Sequence, residues 1–317
     1  MRAVMVTELG KTPAMQDIAP PVREAGQTLV QMTAAALNPV DLGIAAGQFY
    51  AGHPPLPFAA GRDAVGLVLE SDRFASGTRV HTITAASGVL AEQFVAADDD
   101  VWEIADGDDH VEAAALGIAG LAGWMAIEER ARLQSGEQAL ILGATGTVGM
   151  VAVQAAKLLG AWRVVAAGRD RARLERAAEL GADATVHLDG TADSDALSAA
   201  FPEGGPDVVV DPLWGEPAKA AMQIAAPNAR VVQLGQSAGA EVALPSALVR
   251  GKRLQIIGHT VFAYRAAELA PAHHTLLGHV RAGRLTVDTQ TFPLDRAAEA
   301  WELQRSGPHH KLIITAE

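Results

Sequence analysis

The stretch Ala139-Leu140-Ile141-Leu142-Gly143-Ala144-Thr145-Gly146-Thr147-Val148-Gly149 decides the fold. Its four apolar residues read as a buried strand. The apolar stripe from Val148 to Leu159, closed by Gly160, reads as a helix. A glycine turn that leaves a strand and opens a helix is the setting in which dinucleotides bind. Gly146 lets the backbone approach a pyrophosphate, and Gly149 lets the helix pack closely on the sheet. The free N–H groups and positive dipole end of the helix then hold the phosphates. Residues Gly143, Ala144, Thr145, Gly146, Thr147, Val148 and Gly149 are therefore candidate cofactor-binding positions. Ala144 stands where the first glycine of G-x-G-x-x-G belongs, so a tight structural turn is the competing reading.

Outward from the turn the pattern alternates. Arg163 to Ala167 reads as a second strand and Asp170 to Leu180 as a second helix, closed by Gly181. Asp207 to Asp211 and Arg230 to Leu234 read as further strands. Strands alternating with helices imply a doubly wound parallel sheet of the α/β class. The end of the second strand selects the nucleotide, because NAD needs an Asp or Glu there for the ribose hydroxyls. Gly168 occupies that position. Arg169, with Arg173 beyond it, offers a planar fork to a 2′-phosphate. NADPH is the expected cofactor; otherwise Arg169, Arg171 and Arg173 are a solvated helix start.

Before about residue 115 the texture differs. Short apolar runs such as Leu29 to Met32, Gly61 to Leu69 and Thr78 to Ile83 are cut by Gly and Pro, which suggests a β-rich, barrel-like domain. Met1 to Thr7 reads as a strand, and His53 to Pro57 as loop. The closing Lys311 to Ile314 reads as a strand able to pair back with this first domain. The expected division is 1–115 with 265–317, and 116–264.

The 317 residues are 49% hydrophobic and 20% charged, a globular composition, and the net charge is -12. That charge disfavours nucleic acid as a general partner. No apolar run of roughly 18 residues suggests a membrane span. The N-terminus lacks the apolar core of a signal peptide, which makes the cytoplasm the default. There is no cysteine, hence no disulfide, thiolate nucleophile or Cys-ligated metal. Ten histidines remain without metal-ligand spacing. His273-His274 and His309-His310 read as surface polarity, and Asp98 to Asp100 and Asp106 to Asp109 as solvated loop.

Asn38-Pro39-Val40-Asp41, Gly47-Gln48-Phe49, Gly61-Arg62-Asp63-Ala64-Val65-Gly66, Ala119 to Trp124, the turn at 143–149, Leu180-Gly181-Ala182-Asp183, Leu234-Gly235-Gln236-Ser237 and Lys311 to Ile314 together resemble the medium-chain dehydrogenase/reductase superfamily. Within it, the chain is similar to the zinc-free quinone oxidoreductases and NADPH-dependent alkene reductases. The resemblance runs over nearly the whole chain. It implies a GroES-like catalytic domain, built from both ends of the chain, flanking a Rossmann domain, with the active site in the cleft. It implies a homodimer joined through the Rossmann sheet edges. It also places Asn38 beside nicotinamide and substrate, and Leu234, Gly235 and Gln236 at the cofactor. Zinc members carry Cys and Gly-His-Glu where this chain has Asp41 and Gly61-Arg62-Asp63. Ala122 stands where the family usually carries threonine, and His187-Leu188 where it often shows Asn-Tyr.

Without zinc there is no strong Lewis acid for an alkoxide. Reduction of a quinone, or of the activated C=C of an α,β-unsaturated carbonyl, fits better, because the charge delocalises onto an oxygen that needs only hydrogen-bond donors. Asn38 and Tyr50 are the candidate catalytic donors, against a structural turn asparagine and a loop aromatic. Phe49 and Trp124 are candidate substrate contacts. Trp124, Trp214 and Phe262 line a flat pocket or belong to the core. Asp41 reads as fixing the Asn38 loop, and His81 and His259 as proton donors or structural histidines. A tailoring reductase acting on one biosynthetic intermediate and a non-catalytic NADPH-binding protein are the alternatives.

Overall fold

Between Ala122 and Thr260 the apolar runs become strands, the inner ones largely buried on both faces, as parallel strands covered by helices must be. Six of them form one parallel sheet: Gln138–Ile141, Arg163–Gly168, Ala184–His187, Val208–Asp211, Arg230–Gln233 and Gln255–Gly258. Taken in chain order as first to sixth, they lie three-two-one-four-five-six across the sheet. That is the order of doubly wound dinucleotide-binding sheets, whose crevice opens beside the first strand. The helix Thr147–Leu158 follows the glycine turn and buries residues Gly149 to Ala156 without a break. Gly160 and Gly181 take φ values of +92° and +114° just past the two helix ends, as the sequence reading requires. The structure is a computed structural model describing residues 1–84, 88–190, 193–308 and 310–316, so His309 lies outside the described residues.

The chain divides into two units, Ala122–Thr260 and the remainder, Met1–Leu121 with Val261–Glu317. The remainder is β-rich. A seven-stranded sheet is built around Gln27–Ala36, whose early residues alternate between inward and outward positions. This strand pairs antiparallel with Asp63–Glu70, Gln93–Ala97 and the C-terminal Lys311–Thr315. Leu312, Ile313 and Ile314 are fully buried. At about 2 kcal/mol for each aliphatic side chain removed from water, that burial explains why the tail returns to the first strands. A smaller sheet joins Arg2–Val6 to Ala14–Asp17 and Phe58–Ala59. Among the described residues no helix is long and apolar enough to cross a membrane.

Two surface readings need correction. His273 is completely buried, because successive residues on the helix Ala266–Arg281 point in different directions and only His274 faces outward. Its Nδ1 accepts the Trp102 Nε1–H at 3.2 Å, and its Nε2 donates to the Ala113 carbonyl at 3.1 Å. The cluster Asp106 to Asp109 is not all solvated. Asp108 is buried and paired with Arg281, while Asp109 caps the helix His110–Ala115 by accepting from the Val111 and Glu112 N–H groups.

Gly117 has no room for a side chain, because a Cβ there runs into the Asp63 carboxylate. Gly117→Ala is therefore expected to destabilise the protein by about 1–3 kcal/mol, the cost of overpacking a rigid site. Urea unfolding measures it, and an unchanged midpoint contradicts the assigned contact.

Candidate active site

In the parallel-sheet unit the sequence-predicted residues converge at the carboxyl ends of the strands. The Ala144 N–H donates to the Ala167 carbonyl at 3.0 Å, and the Leu142 N–H to the Val210 carbonyl at 3.0 Å, so the turn sits between the neighbouring strands. The three glycines serve different ends. Gly143 adopts φ +58°, and a Cβ on it would meet Pro212 at 2.9 Å. A Cβ on Gly149 would meet the Ala144 Cα and the Gly143 carbonyl oxygen at 2.5 Å. The fold itself therefore requires these two. Gly146 is exposed, has an ordinary φ of -94°, and a Cβ there would touch only Gly143 O at 3.7 Å. It is the N-cap of Thr147–Leu158, where the N–H groups of the first turn have no partner within the helix. The surface over Gly146 is thus an open cradle of donors at the positive end of a helix dipole, suited to a phosphate.

Gly168 ends the second strand, and its missing side chain is a packing fact. A Cβ there would lie 2.6 Å from Thr145 Cγ2. No carboxylate fits at this position. Asp170 is committed as a helix cap, accepting the Arg173 N–H at 3.0 Å. Arg169, between them, is exposed, whereas Arg171 donates to His187 and Arg173 is partly buried. Leu234, Gly235 and Gln236 follow the strand Arg230–Gln233, with Gly235 packed so that a Cβ would meet Pro212 O at 2.5 Å. Asp211, fully buried at the end of the central strand, accepts the Leu213 and Trp214 N–H groups, and burial pushes its carboxyl up. This shapes the loop in which Trp214 takes φ +56°.

Trp124 is 1% exposed, and its Nε1–H donates to Glu128 one helical turn later. It sits in the core, the second of the two places that the sequence leaves open for it. His259 is buried and neutral, pushed down to about 4 by burial and by nearby Arg130.

In the β-rich unit the sequence-predicted Asn38 joins a buried polar network. Asp63, with no exposed surface, accepts from His81 Nε2 at 2.8 Å, from the Ile118 N–H at 2.8 Å and from Asn38 Nδ2 at 3.2 Å. The second amide hydrogen of Asn38 goes to the Ala36 carbonyl, and its side-chain oxygen accepts from Lys311 Nζ. Both Asn38 amide hydrogens are thus engaged inside the protein. Asp41 fixes the loop as read from the sequence, its Oδ2 accepting the Asn38 N–H at 2.7 Å at the start of Pro39–Ala45. Burial pushes the Asp41 carboxyl up and the Lys311 ammonium down. His81 is a structural histidine, stacked on Trp102 at 4.7 Å.

Tyr50 is 77% exposed, with its ring 4.4 Å from that of Phe49. Phe49 packs on the core and meets Phe262 edge-on at 5.8 Å. Sequence reasoning missed Arg62. It lines a small pocket with Asp41, Gly61, Pro54 and Phe58, and its guanidinium lies 5.8 Å from the Phe262 ring. The available signal was a cation placed where the family's zinc branch carries a ligand.

Two families match the chain. The one described as Zinc-binding dehydrogenase covers residues 147–275, and the Alcohol dehydrogenase GroES-like domain covers residues 24–133. Quinone oxidoreductase from Pongo abelii is 29% identical over 99% of this chain and 97% of its own length. A phenolphthiocerol/phthiocerol polyketide synthase from Mycobacterium tuberculosis is 33% identical over 92% of this chain, which corresponds to 14% of that protein. Escherichia coli quinone oxidoreductase complexed with NADPH superposes with a TM-score of 0.90 at 21% identity, covering 99% of this chain and 100% of that one, a likeness of fold.

Buried neutral histidines give stability a pH dependence of known sign. The unfolded chain protonates His259 and His273 near 6.5, but the native protein resists, His259 down to about 4 and His273 well below the ordinary value. The unfolded state therefore binds more protons in this window. The stabilisation is complete above about pH 6.5 and is lost as pH falls through it, by up to about 1.4 kcal/mol per pH unit for each group. Urea midpoints are expected to fall between pH 7 and pH 5, and to fall less steeply in His259→Gln. Equal slopes in the two proteins rule His259 out.

Proposed function

Because the chain belongs to the medium-chain dehydrogenase/reductase superfamily, we propose that it is a zinc-independent oxidoreductase that uses NADPH to reduce a quinone or the activated C=C of an α,β-unsaturated carbonyl. The observation that carries this reading is the cradle at residues 143–149. Gly146 leaves open a surface that the fold does not use, at the positive end of a helix. The choice of nucleotide follows from exclusion and charge. Thr145 fills the space an NAD-selecting carboxylate would need at Gly168, Asp170 is spent on its helix, and Arg169 offers an exposed cation for a 2′-phosphate.

The zinc of the matched family does not fit these residues. The chain has no cysteine, and a cation, Arg62, lines the pocket beside Asp41. The three donors on Asp63 leave that carboxylate committed. Alcohol oxidation, which needs a Lewis acid at the alkoxide, is disfavoured on this ground.

When bound, the nicotinamide supplies the hydride. The residues of this chain do the rest. Gly143 to Gly149 hold the pyrophosphate and Arg169 the 2′-phosphate. The acceptor takes the hydride at carbon, its electron pair moves to oxygen, and a proton from water completes a two-electron reduction. A homodimer is part of the same reading, supported by the edge strand Gln255–Gly258, which has one sheet partner and exposes Ile256. A second reading, a tailoring reductase on one biosynthetic intermediate, draws on the similarity to a segment of a polyketide synthase.

Incubating the protein with NADPH and a panel of quinones and enones, while following cofactor absorbance, is expected to show turnover. Absence of both turnover and NADPH binding refutes the proposal. Binding without turnover on any acceptor points to a non-catalytic NADPH-binding role. Arg169→Ala is expected to weaken NADPH by at least about tenfold, the worth of a charge-assisted phosphate contact, and to leave NADH nearly unchanged. Equal effects on the two cofactors remove Arg169 from the 2′-phosphate.

A further inference from the structure

Arg62 is a half-buried cation whose charge the protein does not use up. Among the described residues its one hydrogen bond runs from Nη2 to the Thr84 carbonyl at 3.3 Å. Its Nε is buried and has no partner among the described residues. No carboxylate hydrogen-bonds it, and Asp41 acts on it only through space. A guanidinium drawn partly out of water with its donors idle is costly, and such a group persists where an incoming acceptor completes it.

The surroundings say which acceptor. Gly61, at φ +82°, turns the chain just before the strand Asp63–Glu70. Asp63 then points into the buried network, while its neighbour Arg62 lines the pocket. The Arg62 guanidinium lies 5.8 Å from the Phe262 ring, Phe262 meets Phe49 edge-on, and Phe49 touches the exposed Tyr50. These groups make a continuous row of aromatic faces ending on a cation. Pro54 and Phe58 add apolar walls to the pocket.

We propose that Arg62 is the group that receives the oxygen of the acceptor, and that Phe49 and Phe262 form the flat wall along which a planar conjugated substrate lies. This rests on the function proposed above. In that reaction a hydride released from the reduced cofactor forms a C–H bond at the acceptor's β-carbon, the C=C pair shifts toward the carbonyl, the carbonyl π pair moves to oxygen, and Arg62 holds the resulting enolate until water protonates it and leaves hydroxide. With a quinone, loss of the proton at that carbon and protonation of oxygen then give the hydroquinone. A fixed cation then occupies the electrostatic role that a metal plays in the zinc branch, without a ligand set. Asn38, one of the two donors read from the sequence, has both amide hydrogens engaged within the protein.

Three variants test the assignment: Arg62→Met, Arg62→Lys and Arg62→Ala. Arg62→Met is expected to lower kcat/KM for the best acceptor by about 100-fold, the usual cost of losing an oxyanion donor, with NADPH affinity within about twofold and thermal unfolding unchanged. Arg62→Lys is expected to recover part of the loss, and added guanidinium to rescue part of the activity of Arg62→Ala. Unchanged kcat/KM, or a loss that tracks NADPH affinity or unfolding, overturns the proposal. Equilibrium binding of 4-nitrophenolate, a planar oxyanion, separates this site from the proposed reaction. It is expected to weaken at least about tenfold in Arg62→Met, as for a lost charge-assisted contact. A protein that reduces no acceptor but loses nitrophenolate binding on substitution keeps the anion site and fails the reaction. Equal nitrophenolate affinity in both proteins overturns the site.

Discussion

The Asp63 carboxylate is the constraint on which the β-rich unit is arranged. It has no exposed surface, so its charge must be met by donors, and three converge on it from a strand, a loop and a helix start. Each donor carries a consequence. The Ile118 N–H can reach Asp63 only because Gly117 has no Cβ. The Asn38 amide is turned inward, and its oxygen then accepts from Lys311 on the C-terminal strand. The His81 ring is held flat on Trp102, whose indole N–H fixes His273. One buried charge thus sets the tautomer or rotamer of residues from both ends of the chain. It also aims the adjacent Arg62 the other way.

The parallel-sheet unit is governed by a different constraint, the space around three glycines. Gly143 and Gly149 are explained by the protein alone, one by its backbone angle and both by what a Cβ would strike. Gly146 is not explained in that way, since a Cβ there would touch only the Gly143 carbonyl oxygen, and that open space is what the proposed phosphate site uses. The same reasoning applies in reverse at Gly168, where the Thr145 methyl closes the space that an acidic residue would need.

The four inner strands of the parallel sheet were legible in the sequence as short apolar runs alternating with helices, whereas the more exposed outer strands Ala184–His187 and Gln255–Gly258 carry no such run. The tail strand Lys311–Thr315 was legible too, through three consecutive aliphatic residues that need a partner sheet. His273 was misread as surface polarity, since adjacent histidines look alike in sequence, and Trp124 stayed open between pocket and core, since an aromatic ring looks the same in both. The indole of Trp124 satisfies its N–H within its own helix, and His273 satisfies both nitrogens from distant segments. Asn38 was found as a special residue, but nothing in Asn-Pro-Val-Asp shows where its amide hydrogens go.

Local pattern was enough for the doubly wound sheet, the phosphate turn and the missing thiol ligands, since each depends on residue type within a few positions. Tertiary structure alone decided which polar groups remain free. Asn38 and Asp63 are 25 residues apart, Asn38 and Lys311 are 273 apart, and Trp102 and His273 are 171 apart. A hydrogen bond between such residues exists only once the chain has closed on itself. The sequence shows Arg62 as a cation standing where a zinc ligand is expected, but that no carboxylate hydrogen-bonds it among the described residues shows only once those distant pairings have been made.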